Sequence, residues 1–97
     1  LNTHYLDMHI DKIYRYDTVG HMFNIILSYV SVSDFSKFCE KYFKHIKEHQ
    51  YLYPLLSADD SFWFEDFPYT DIRVMKTVHN RNGCDTVLYH VCVLIGQ

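Results

Sequence analysis

The chain has 97 residues, a formal net charge of −3 and 48% hydrophobic residues. That length sets one domain, and that apolar content excludes a disordered chain. The helix lysines are interleaved with acids, so no basic stripe exists for nucleic acid, and no apolar run reaches the about 18–20 residues needed to span a bilayer.

From the N-terminus, Leu6, Ile10, Ile13 and Tyr14 fall at helical spacing within residues 3–16, which predicts a short helix, while the alternation of Tyr14 and Tyr16 suits an extended exit. Asp17-Thr18-Val19-Gly20 reads as a turn. Residues 21–32 read as a strand. Phe23, Ile25, Leu27 and Tyr29 share one face, and Met22, Ile26, Val30 and Val32 share the other with Asn24 and Ser28. Two largely apolar faces predict a central strand covered on at least one side.

Ser33 and Asp34 open the main helix, predicted over residues 33–51, with Ser33 as the N-cap. Phe35, Phe38, Cys39, Tyr42, Ile46 and His49 recur at steps of three and four and form one apolar stripe. Pro54 disfavours helical geometry at Tyr53 and sets the latest end of the helix.

Between Lys47 and Arg73 there is no basic residue other than histidine. Asp59, Asp60, Glu65 and Asp66 surround Phe62, Trp63, Phe64 and Phe67. The Phe62–Phe64 run reads as a short strand. Its alternation sends Trp63 and the two phenylalanines to opposite sides, so one side is either covered by another segment, such as the N-terminal one, or exposed as a contact surface. Phe62, Trp63, Phe64 and Tyr69 are the residues assigned to an interaction surface for another protein.

Asn82-Gly83 is the favoured pair for a two-residue type I′ turn. A hairpin centred there pairs Val78 with Val87, Val74 with Val91 and Ile72 with Val93. Those six residues are expected to face the core. The other face pairs Thr77 with Leu88, Met75 with His90 and Arg73 with Cys92.

No catalytic residue, metal set or cofactor is assigned from the sequence. His45 and His49 stand four apart on the main helix, which is metal-ligand spacing, but no further ligand accompanies them locally. His49 is read as bordering the core. Cys84, His90 and Cys92 share a strand face at a spacing that matches no zinc finger. Gly20, Gly83 and Gly96 stand apart, so there is no phosphate loop. Three cysteines at irregular spacing point to free thiols and an intracellular, reducing compartment, the cytoplasm being the first expectation. Leu1 in the first position, and Gln97 just past an apolar strand, read as cut ends. They point to a fragment, a processed product or an excised domain.

One pattern extends from Asp11 to Val78. Asn24 sits in His-Met-Phe-Asn-Ile-Ile-Leu, and a helix through Phe38 and Tyr42 leads to His-Gln-Tyr-Leu-Tyr-Pro-Leu-Leu at 49–56. An aromatic strand and the Ile72–Val78 strand follow. This order resembles the opening part of condensation-type acyltransferases, the fungal alcohol acetyltransferases among them. The catalytic His-x-x-x-Asp stretch of that family has no equivalent here, because His79-Asn-Arg-Asn-Gly-Cys-Asp85 has the wrong spacing. The resemblance therefore implies a non-catalytic N-terminal fragment and transfers no site residue.

The expectation is an α+β fold. It has a small antiparallel or mixed sheet of about four strands, the helix at 33–51 packed on one face, and a C-terminal β-hairpin. The expected function is a non-enzymatic protein–protein interaction or structural module, acting without nucleic acid or membrane. The alternative is the acyltransferase fragment.

Overall fold

The computed structural model describes residues 3–17, 22–60 and 71–96. The fold is α+β, with two helices on one face of a four-stranded mixed sheet. The elements are α1 (Thr3–Tyr16), β1 (Phe23–Val30), α2 (Phe35–Glu48), β2 (Leu55–Asp59), β3 (Ile72–Arg81) and β4 (Cys84–Leu94). The strand order is β1-β4-β3-β2, with β2, β3 and β4 antiparallel in sequence and β1 joined in parallel to β4.

The helices form where the apolar spacing requires. Leu6, Ile10 and Tyr14 are the buried residues of α1, and Cys39, Tyr42 and Ile46 those of α2. Each helix is 14 residues long, so α1 is as substantial as the one main helix expected. The N-cap of α2 is Asp34, not Ser33: its Oδ1 accepts the Lys37 amide at 3.0 Å. A carboxylate also complements the positive helix end, which a hydroxyl does not. The helix stops at Glu48, short of residue 51, because His49 turns extended at φ −62° and ψ 144°.

The hairpin forms at the expected turn. Asn82 and Gly83 have φ of 53° and 89°, and the Asn80 side chain accepts the Gly83 amide at 2.8 Å. The register is also as expected, with Ile72, Val74 and Val78 opposite Val93, Val91 and Val87. The face is reversed. Met75, Thr77 and His79 of β3 and Thr86, Leu88, His90 and Cys92 of β4 are buried under the helices, while the valines are only half-buried. A turn fixes which residues pair but not which side of the ribbon is covered. The polar residues go inward because α2 and the segment after it carry hydrogen-bonding partners for them.

The position of β1 is also a correction. It lies at the sheet edge, and the centre is occupied by β4 and β3. Ile26 and Val30 point into the core, whereas Phe23, Ile25, Leu27 and Tyr29 are 52–67% exposed. The fourth strand is β2 at Leu55–Asp59, which pairs with β3 through an irregularity between Leu55 and Ser57. The strand expected at Phe62–Phe64 lies outside the described residues.

Two tyrosines at the helix–sheet seam make opposite tests of this packing. The Tyr42 hydroxyl bonds His90 Nδ1 at 2.9 Å, whereas the buried Tyr14 hydroxyl has no hydrogen-bond partner among the described residues. Tyr42→Phe therefore strands a buried acceptor and should cost about 1–3 kcal/mol in urea unfolding, while Tyr14→Phe should be neutral or stabilising by about 1 kcal/mol. Equal losses from the two would contradict the assigned network.

Candidate interaction surface

The inner face of the sheet carries a hydrogen-bond chain whose direction can be worked out. His79 Nδ1 lies 3.2 Å from the Tyr53 carbonyl. A carbonyl only accepts, so Nδ1 carries the proton. In the neutral ring Nε2 is then an acceptor, and the Thr77 hydroxyl at 2.8 Å donates to it. Thr77 Oγ1 is left to accept from His90 Nε2–H at a long 3.5 Å, and His90 Nδ1 accepts from Tyr42 O–H at 2.9 Å. The run Tyr42–His90–Thr77–His79–Tyr53 is thus satisfied with both imidazoles neutral.

Its surroundings favour that state. His90 is fully buried, and burial pushes its pKa down to about 3, with the nearby His79 and His49 adding to the shift. Burial also lowers His79, against the hydrogen bond to the Tyr53 carbonyl that favours its charged form. Aromatic rings close the pocket: Tyr51 and Tyr14 lie 4.3 and 5.8 Å from the His79 ring, and Tyr42 lies 5.5 Å from that of His90. Such a chain holds the sheet to the helices. Both histidines are buried.

A second buried tie joins α1 to the hairpin. Asp17 accepts from Asn24 Nδ2 at 3.0 Å and from the Arg81 guanidinium at 3.4 Å, and Arg81 stacks 4.8 Å from the Tyr53 ring. By sequence alone Asp17 reads as a turn residue. Cys39 and Cys92 are buried side by side as free thiols, and Cys84 is exposed. The hydrogen bond to Cys39 and burial raise the Cys92 thiol above its ordinary range.

The outer face of the sheet is different in kind. By register, Phe23, Ile25, Leu27 and Tyr29 of β1 lie beside Val87, Tyr89, Val91 and Val93 of β4, which lie beside Val78, Lys76, Val74 and Ile72 of β3. No described helix or strand lies over this face. Phe23 and Tyr89 meet edge to face at 6.2 Å, joining the two strands across it. Within the patch the charged side chain is Lys76, with Asp59 of β2 directly opposite. The four β1 side chains, each more than half exposed, present roughly 450 Å² if a large side chain offers about 150–250 Å². The half-buried valines, Ile72 and Tyr89 extend the patch beyond that. A typical monomer's largest apolar patch is about 300–600 Å².

Phe62, Trp63, Phe64 and Tyr69, the surface residues assigned from sequence, lie outside the described residues. Of the residues that form the open face, Ile72 and the hairpin valines read as core in the sequence. The alternation of β1 places Phe23, Ile25, Leu27 and Tyr29 on a single side. Among the described residues, the group of ligand-type side chains close enough to hold a metal ion is Asp7, His45 and His49. No described helix is long and apolar enough to cross a membrane. No family model, curated protein or solved structure matches the chain.

The buried histidines generate a pH prediction. Folded His90 titrates near 3 and an unfolded histidine near about 6.5, so between those values the unfolded chain binds more protons. Stability is full above about pH 6.5 and is lost as the pH falls toward 3, with a limiting slope of about 1.4 kcal/mol per pH unit from His90. Urea midpoints should drop between pH 7.5 and pH 5; a flat profile over that window would contradict neutral buried imidazoles.

Proposed function

We propose that the chain is a non-enzymatic protein–protein interaction module that packs the open sheet face on an identical face of a second copy. The observation that carries this reading is the two-sided sheet: one face is closed by α1 and α2, and the other is apolar and bare among the described residues. Interfaces between transient partners are about as polar as the rest of a protein surface, whereas permanent homodimer interfaces resemble a core cut in half. The outer face, with Lys76 the charge among its valines, is of the second kind. Two copies related by a two-fold axis offer faces of identical size and composition, and sheets stack at about 10 Å. The four β1 side chains supply roughly 450 Å² of the about 800 Å² that each partner gives to a stable interface, and the half-buried valines, Ile72 and Tyr89 add to it. The outer edge of β1, which pairs with no other described strand, lies at the same border, so pairing there would extend the sheet.

The reading keeps the protein–protein role expected from sequence and moves its surface from the aromatic segment to the sheet. The free cysteines favour a reducing compartment for such a module.

Light scattering or sedimentation equilibrium on the full chain should give twice the chain mass of 11.7 kDa. The double variant Ile25→Asp, Leu27→Lys should give the single mass with an unchanged circular dichroism spectrum, since both positions are exposed. A wild-type monomer across the micromolar range, a heterologous complex only, or a variant that remains dimeric would each overturn the proposal.

A further inference from the structure

On the opposite side of the molecule, the two helices bring four chemically related side chains together. Asp7 and Asp11 stand one turn apart on α1, and His45 and His49 one turn apart at the end of α2. Asp7 Oδ1 lies 2.6 Å from His45 Nε2 and 2.9 Å from His49 Nδ1. The other ring nitrogen of His49, Nε2, lies 3.2 Å from Asp11 Oδ1. Residues 38 positions apart in the chain thus converge on one point.

We propose that Asp7, His45 and His49 bind one divalent transition-metal ion of the zinc class between α1 and α2, with Asp11 orienting His49. The donor set is the first argument. Two imidazoles and one carboxylate suit zinc and its first-row neighbours, whereas magnesium and calcium take oxygen ligands. Geometry is the second. The ligand atoms of the three residues all lie within 4.8 Å of one another. Tetrahedral zinc with bonds of about 2.0–2.1 Å holds its ligand atoms about 3.3 Å apart. Starting from 2.6 and 2.9 Å, the Asp7 carboxylate retreats by about half an ångström, and the two imidazole nitrogens, which lie within 4.8 Å of each other, close by up to about 1.5 Å through side-chain rotation.

The third argument is the orientation of His49. Its Nε2–H points at Asp11, which fixes the ring and leaves the Nδ1 lone pair aimed at the Asp7–His45 side. A carboxylate held behind a ligating imidazole is the usual support of a metal-bound histidine, and its loss typically costs about 10–100-fold in affinity. Access is the fourth. The side chains of Asp7 and His45 are 35% and 22% exposed, and that of His49 is 8% exposed. The ion would therefore be anchored from the buried side and keep its fourth position open to water. On binding, the ion takes the place of the His45–Asp7 hydrogen bond.

The test uses the full chain after dialysis against a chelator, titrated with zinc by calorimetry and with cobalt(II) by visible absorption. One equivalent of zinc should bind, raise the melting temperature and leave equimolar magnesium without effect. Cobalt should give the intense bands of a four-coordinate site without a thiolate charge-transfer band, which separates this site from the exposed Cys84. His45→Gln and His49→Gln should each abolish stoichiometric binding, Asp11→Asn should weaken it about 10–100-fold, and the exposed His9→Gln should leave it unchanged. No stoichiometric zinc uptake by the wild type, a thiolate signature in its cobalt spectrum, or binding that follows His9 and survives His45→Gln would overturn the proposal. The cobalt spectrum of the wild type decides the matter even if a variant fails to fold.

Discussion

The hydrogen-bond chain from Tyr42 through His90, Thr77 and His79 to the Tyr53 carbonyl is the constraint on which the arrangement of layers depends. Each of its members is a polar group removed from water, and such a group is costly when left unpaired. The β-hairpin could have turned either face to the helices. Only the face carrying Thr77, His79 and His90 finds partners there, because Tyr42 on α2 and the Tyr53 carbonyl just before β2 supply the terminal donor and the terminal acceptor. With that face inward, Met75, Leu88 and Cys92 are carried into contact with Ile46, Tyr42 and Cys39. The valines are carried out.

The helix layer and the bare sheet face follow from the same choice and lie on opposite sides of the sheet. The acid–histidine cluster sits in the seam between the helices, and the apolar patch lies beyond the sheet. Association through the one therefore leaves the other accessible. It also leaves the helix seam as the place where a bound ion would be felt as added stability, since α1 is otherwise held by its apolar stripe, the Asp17 tie to Asn24 and Arg81, and the His45 and His49 contacts.

Local signals were legible in the chain. The spacing of Leu6, Ile10 and Tyr14 and of Cys39, Tyr42 and Ile46 is a helical stripe whatever surrounds it. Asn82-Gly83 demands positive φ and so fixes the pairing of ten residues on each strand. What the chain did not disclose was which partner each face meets. Valines opposite valines look like a core by hydrophobicity alone, and only the tyrosines of other segments make His79 and His90 the better inward choice. β1 looked central because both its faces are apolar, and an edge strand with an unsatisfied face has the same pattern. The metal candidates show the same limit. His45 and His49 are visible as a pair four apart, but Asp7 and Asp11 belong to a helix that meets them only in three dimensions.

The parallel pairing of β1 with β4 has a consequence for how the chain reaches this state. Phe23 pairs with Val87 and Val30 with Leu94, so each bond of that ladder closes a loop of more than sixty residues. The β2–β3–β4 meander can form from neighbours in sequence, but β1 has nowhere to dock until β4 exists. A growing chain must therefore carry Phe23, Ile25, Leu27 and Tyr29 as an unpaired apolar segment while most of the remaining residues are made. Long-range pairing of this kind is slow and prone to association before it is complete. The strand that is exposed longest during folding is the one that keeps Phe23, Ile25, Leu27 and Tyr29 exposed afterwards, so the stickiness that would serve the finished protein is also its hazard during synthesis.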